Sequence, residues 1–459
     1  MRAIRDRRRN GVPRHAVQRP SSLDMARRLL SVITLAFVVM AFTYPREFAP
    51  RFVNWLTWAG IAVALGLLLL PPARSRVAWP RRVLPPALLV LTMLGWFAIS
   101  YHWSQHPAMT RRAVLTYVAI AAIAWAAAAR SHPDDVPVGL ALGLVAALSL
   151  SIGATLLGYE GPRRWSAWWG RSERYPAFQG LYGNPNILSY VIVMLLPAVV
   201  TLGALKRAAR ATTVALLGGV LIVVWQVRST TGTIAAVAIL CVACLLVLHS
   251  KLLGSAPERA RRTVRRILVV GSAAGAIAVL TVLGRAVAQG TTTLNGRTPL
   301  WTTVIDVSSA KPLTGAGWGS VWSYHWMPAP RNAVRSQIND ALPNPLAHGH
   351  NAAIDFLPQV GWIGVALMIA VQIASVVLLV RAAPSPARSW GLLTLVAVNL
   401  VGLTEPTWAT PVGWGLIIIV ATVAARLTPR AGGLERVRPQ TAQGESTAPR
   451  HVPAHALKL

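Results

Sequence analysis

The stretch Ala347-His348-Gly349-His350-Asn351 sets two histidines one residue apart, directly before a long apolar run. A helix that begins there presents free backbone N–H groups and the positive end of its dipole to the imidazoles. That field disfavours an imidazolium, so either ring is expected to stay neutral at pH 7, as a general base must. The plainer alternative is an interfacial histidine that caps the helix. Arginines supply a second kind of chemistry. Arg228 stands in Arg228-Ser229-Thr230-Thr231-Gly232, Arg285 at the end of an apolar run, Arg297 after Gly296, and Arg111 and Arg112 at the start of another run. Each alone reads as a snorkelling anchor. Gathered at one boundary they make an anion site, because a guanidinium binds phosphate bidentately and stays charged in partly dry surroundings. The carboxylates on that side are Glu47, Glu160, Glu173, Asp306, Asp340, Asp355 and Glu405, with no D-x-D and no neighbouring pair. A divalent ion held by oxygen ligands needs placed carboxylates, so the expected chemistry uses no metal and no cofactor. Serine-hydrolase and Walker motifs are absent.

The elements that must position these residues are membrane helices. Of 459 residues, 54% are hydrophobic and 13% charged, and mean hydropathy is +0.50; a soluble domain is nearer a quarter charged. About 20 apolar residues cross a bilayer as a helix. Such runs fall at 27–44, 52–70, 84–101, 113–129, 136–158, 186–205, 211–227, 230–249, 266–284, 356–380, 389–404 and 411–425. The expected fold is therefore an all-α polytopic membrane protein of about twelve transmembrane helices between 27 and 425. Basic tails flank it at 1–26 and 428–459. The first run is preceded by a basic tail and followed by no small-residue cleavage motif, so it reads as a span and not as a signal peptide.

Lys and Arg total 45 against 14 Asp and Glu, a net charge of +31. On a soluble protein that balance suggests nucleic acid. Here most cations fall in the tails and in the loops on the same side as the amino terminus, which is the sorting that membrane insertion imposes. Both termini are expected in the cytoplasm, and no nucleic-acid partner is expected. Asp134-Asp135 reads as a solvated turn on that side. Cys241 and Cys244 lie inside an apolar run and read as small membrane-helix residues, with no disulfide.

Two outer segments exceed the usual two to eight residues between packed helices: 159–185 and the long loop 285–355. The second contains a short helix, with Thr298 as N-cap, Pro299 at the first helical position, and Trp301, Val304, Ile305 and Ser308 on one face. Such a helix could lie flat on the membrane with Trp301 at headgroup depth. Gly315-Ala316-Gly317-Trp318-Gly319 follows and permits close backbone approach.

Four segments together resemble the O-antigen ligase and polymerase superfamily, the integral-membrane glycan-transfer enzymes of bacterial envelopes. They are Gly183-Asn184-Pro185-Asn186; Ser229-Thr230-Thr231-Gly232; Gly296-Arg297 with Trp301, Pro312 and Gly315-Ala316-Gly317; and His350-Asn351 with Gly361-Trp362-Ile363-Gly364. They span 183–364 in the family's order. The resemblance implies a fold related to C-type (GT-C) glycosyltransferases. It implies a polyprenyl-diphosphate-linked glycan donor at the outer face, and an acceptor hydroxyl on a lipid core or a growing polysaccharide. It gives His350 the role of base, since the following Asn351 matches the family, with His348 beside it. Arg297, Arg228 and Arg285 would hold the diphosphate, and Asn351, Asn184 and Trp301 would line the substrate site. Where members commonly have Ser-Arg this chain reads Ser229-Thr230, and Gln359 stands where an acidic residue is often found. Ligase and polymerase share this pattern. A twelve-helix transporter is the rival from another class, disfavoured by the lack of two similar halves and of membrane-buried charges.

Overall fold

The computed structural model describes residues 22–43, 84–158, 177–205, 210–253, 297–324, 327–342 and 346–427, with isolated positions at 59–66 and 257–263. The apolar runs expected at 52–70 and 266–284 lie almost wholly outside the described residues. So do most of the first outer loop, Arg285, and the tails before Ser22 and after Leu427.

Among the described residues there are twelve α-helices: α1 (Ser22–Thr43), α2 (Leu84–Ile99), α3 (Pro107–Arg130), α4 (Asp135–Leu156), α5 (Pro185–Leu202), α6 (Arg210–Val227), α7 (Thr230–Leu253), α8 (Arg297–Ser308), α9 (Ala333–Asp340), α10 (Ala352–Arg381), α11 (Pro386–Gly402) and α12 (Pro411–Leu427). Seven of them contain stretches long and apolar enough to cross a membrane, and α6 and α12 are shorter apolar helices. The protein is thus a multi-pass membrane protein. Each expected run within the described residues coincides with a helix. The starts follow local chemistry: Pro107, Pro185 and Pro386 occupy first turns, where a missing N–H costs nothing. The Asn184, Ser385 and Asn351 side chains accept from the free N–H groups behind them.

The helices pack as a bundle in which α1 lies on α4, α12 on α3, α11 on α5, and α10 on both α2 and α12. At the end away from the histidines, Asp135 is buried and its carboxylate receives Arg28 Nε at 2.9 Å. It is not the solvated turn residue that its sequence neighbourhood suggests, because α1 docks against the start of α4 and brings the arginine to it. The two cysteines face outward from α7 and are unbonded.

The helix that matters most for the site, α10, is broken. Pro358 removes one N–H from its ladder, and Gly361 adopts φ 63°, ψ −173°, outside the helical region. The backbone groups released there are taken up by the glycine-rich loop. Ala316 N–H donates to Pro358 O at 2.8 Å, and Gly317 N–H to Gln359 O at 2.9 Å. Trp96 Nε1 donates to Val360 O at 2.9 Å. In return, Trp362 N–H donates to Pro312 O at 2.8 Å. An unpaired polar backbone group costs several kcal/mol in a bilayer, so break and loop stabilise each other. Trp318, at the tip of the loop, enters the bundle and stacks on Phe97 with centroids 4.1 Å apart, with Phe356 and Tyr117 at 5.0 and 4.8 Å. The loop between α8 and α10 is therefore a packed part of the bundle. Gly315, Gly317 and Gly319 all have positive φ, as the close approach demands.

Candidate active site

Three separate parts of the chain meet beside His350. Arg297 is the first residue of α8, His350 immediately precedes the Asn351 cap of α10, and Glu405 follows α11 in the turn to α12. Arg297 Nη2 donates to Glu405 Oε1 at 3.1 Å, and Glu405 Oε2 lies 3.7 Å from His350 Nδ1. The arginine and glutamate side chains are largely enclosed, and His350 is about a fifth exposed. His348 packs on His350 with ring centroids 4.0 Å apart. His348, His350 and Glu405 each offer a ligand atom within 4.8 Å of the other two, so the group can also be considered as a metal-binding set.

The turn that carries His350 is held from several directions. His350 has φ 48°, uncommon for a non-glycine residue. Trp301 Nε1 donates to Gly349 O at 3.1 Å, so this tryptophan braces the turn. Gly349 N–H donates to Asp355 Oδ1 at 2.8 Å, and the Tyr324 hydroxyl donates to Asp355 Oδ2. Gln359, buried, donates through Nε2 to Tyr324 Oη at 2.9 Å and accepts Gly319 N–H at 3.0 Å. Burial, reinforced by the Asp355 carboxylate, pushes the Tyr324 phenol well above its ordinary value, which keeps it a donor. Replacing Tyr324 by phenylalanine leaves one carboxylate oxygen and one amide donor unpaired in the interior. The expected loss is about 1–3 kcal/mol, read as a lower melting temperature in detergent, with turnover falling as the Gly349–His350 turn loosens.

The remaining residues expected at the site occupy helix ends. Asn351 Oδ1 accepts from Ala353 N and Ile354 N while its Nδ2 donates to Leu403 O at 3.1 Å. Asn184 caps α5 through Asn186 N at 2.8 Å. Arg228 is exposed in the α6–α7 turn with φ 54°, so it sits outside a helical register. The Ser229–Gly232 turn packs tightly on α5: a Cβ at Gly232 would lie 1.7 Å from Ser189 Oγ. The start of α7 thus packs on Ser189 of α5, the helix that Asn184 caps.

Two local expectations change. Helix α8 already includes Arg297, so Thr298 lies in its first turn and does not cap it. The inward face of α8 is Leu300, Val304 and Ser308, whereas Ile305 is exposed. Glu405, Asp355 and Tyr324 escaped notice as site residues. A signal existed for Glu405 and Asp355: in a chain with only 14 acids, a carboxylate beside an apolar run calls for a partner.

The family model described as O-antigen ligase matches residues 192–369, a span that includes Arg228, Arg297 and His350. No curated protein matches the chain. Residues 192–369 of the chain are thus similar to the O-antigen ligase family, consistent with the O-antigen ligase and polymerase superfamily.

Proposed function

We propose that the protein is a glycosyltransferase that moves a glycan from polyprenyl diphosphate to an acceptor hydroxyl, on a lipid core or a growing polysaccharide. The reaction takes place at the outer face of the cytoplasmic membrane, without a metal ion, and both termini lie in the cytoplasm. The observation that carries this reading is the convergence of Arg297, Glu405 and His350 from three distant segments of a membrane bundle.

In this chemistry His350 takes the proton of the acceptor hydroxyl as its oxygen bonds to the anomeric carbon. The bond from that carbon to the diphosphate oxygen breaks, and polyprenyl diphosphate leaves with the electron pair. Arg297 stabilises the charge that develops on the leaving group. Its contact with Glu405 engages one nitrogen of a group with five N–H donors. Glu405 stabilises the imidazolium formed at His350, and its 3.7 Å gap to Nδ1 closes to a hydrogen bond as that charge appears; such bonds are often long before substrate binds. Arg228 and Arg285 add positive charge towards the diphosphate.

The test is turnover by the purified protein in detergent, supplied with a polyprenyl-diphosphate glycan and candidate acceptors. Release of polyprenyl diphosphate, unaffected by EDTA, is the expected result. Arg297→Lys keeps the charge and loses the fork. A charge-assisted hydrogen bond contributes about 1.5–3 kcal/mol, so donor kcat/KM should fall roughly ten- to a hundredfold. Unchanged donor dependence would remove Arg297 from the site. Failure with every acceptor, together with substrate-dependent flux in proteoliposomes, would replace the transferase by a transporter.

A further inference from the structure

The gap between His350 and Glu405 has a second chemical reading. At 3.7 Å, Nδ1 and Oε2 are too far apart for a hydrogen bond, and His350 Nδ1 is buried without a hydrogen-bond partner among the described residues. Two ligands of one tetrahedral zinc ion, each bound at about 2.0–2.1 Å, stand about 3.4 Å apart. His348 completes a set of two imidazoles and one carboxylate whose donor atoms already lie within 4.8 Å of one another. Two histidines and a glutamate, with a water in the fourth position, is a donor set that zinc accepts. The arrangement is also supported from behind. Arg297 holds Glu405 Oε1 and leaves Oε2 for a ligand bond, and a second-shell hydrogen bond to a ligating carboxylate fixes its orientation. His350 is turned towards the carboxylate by a backbone held at φ 48°, with the Gly349 amide locked onto Asp355.

We infer that His348, His350 and Glu405 form an inhibitory site for zinc and similar divalent transition ions. Bound there, the ion takes the lone pair of His350 Nδ1 and the free oxygen of Glu405. The proton of the neutral ring is then fixed on Nε2, so that nitrogen can no longer accept one, and the carboxylate that would stabilise the imidazolium is occupied. It adds two positive charges beside Arg297, so affinity is moderate and the ion is exchangeable, as suits a brake and not a resident cofactor. Metal binding itself is independent of the reaction; only the inhibitory consequence rests on the proposed role of His350.

The experiment has two arms, both on the full-length protein in detergent. In the first, Co²⁺ is titrated as a spectroscopic probe. One equivalent should give the intense visible absorption of a four-coordinate ion, and Zn²⁺ should displace it. His348→Ala and Glu405→Gln should each raise the zinc dissociation constant by about tenfold or more. His348 is half-buried in a loop and its truncation removes only its packing on His350 and the acceptor of the His350 N–H, whereas Glu405→Gln is nearly isosteric and tests the site without removing a ring. An absent cobalt band, or a band unchanged in both variants, would overturn the site. In the second arm, Zn²⁺ should suppress release of polyprenyl diphosphate in step with occupancy, EDTA should restore it, and His348→Ala should shift half-inhibition by the same factor as binding. Full occupancy with undiminished turnover would overturn the inhibitory role. Stoichiometric binding lost in both variants, in a protein that turns over no donor, would support the metal site while refuting the transferase reading.

Discussion

Replacement of His350 by alanine is expected to lower the rate of polyprenyl diphosphate release by about 10²- to 10⁴-fold, the usual contribution of a positioned general base. The loss should fall on kcat, since the ring acts on a proton in flight and makes no lasting bond to the donor. Donor binding by the variant should stay near that of the unaltered protein, because Arg297 remains paired with Glu405. The protein should also fold: His350 lies in a turn whose backbone is fixed through Gly349, Trp301 and Asp355, none of which contacts the deleted ring in those bonds. A single-turnover measurement with pre-bound donor checks this directly. Full retention of rate would move the base elsewhere, first to the neighbouring His348.

The second large effect lies in the frame. Gly361→Ala should fail to yield a monodisperse, active protein. The backbone there has φ 63° and ψ −173°, a region essentially restricted to glycine, and strain of this kind costs of order 1–3 kcal/mol. Space is the larger obstacle. A Cβ at Gly361 would lie 2.2 Å from both the carbonyl carbon and oxygen of Leu313, and backbone cannot swing aside as a side chain can. To make room, the 312–317 loop would have to leave α10, exposing Pro358 O and Gln359 O and withdrawing Trp318 from its stack on Phe97. Gly219→Ala, in the middle of α6 with nothing within 4 Å of the new methyl group, is the control. It should be neutral or stabilising by up to about 1 kcal/mol, the helix-propensity difference. Comparing the two by thermal unfolding in detergent separates local crowding from a general intolerance of the membrane helices to lost glycine.

The spans were legible because length and apolarity alone define them, and α8 because Pro299 and the apolar spacing from Trp301 onward mark a helix start. Which face of α8 turns inward was not. Val304 and Ser308 fitted the expected face, but Leu300 and not Ile305 completes it, since periodicity counts apolar positions without saying which surface meets the bundle. Within the spans the difficulty is greater, because lipid and protein interior are both apolar and a pattern cannot tell one from the other. Pro358 and Gly361 stood in view inside a run read as continuous, yet a break in a membrane helix becomes credible only when partners for the released carbonyls are known, and those partners lie over forty residues earlier. Arg297 and His350 were found by type and spacing. Glu405 joins them only after α10 and α11 have crossed and returned, a pairing that no local window contains. Tyr324 and Asp355 are joined in the same way, by the fold and not by sequence proximity.

The position of Glu405 also bears on when the site comes into being. A ribosome delivers this chain from its amino terminus, so α8 and the His350 turn are made while the turn that closes the Arg297–Glu405–His350 contact is still unsynthesised. Chains that stop before α12 lack a seat for the Glu405 turn, because α12 packs on α3 and on α10 at the other side of that turn. Maturation of the site is thus tied to completion of the last helical hairpin, and a partly inserted chain carries its arginine and histidine without the carboxylate that joins them.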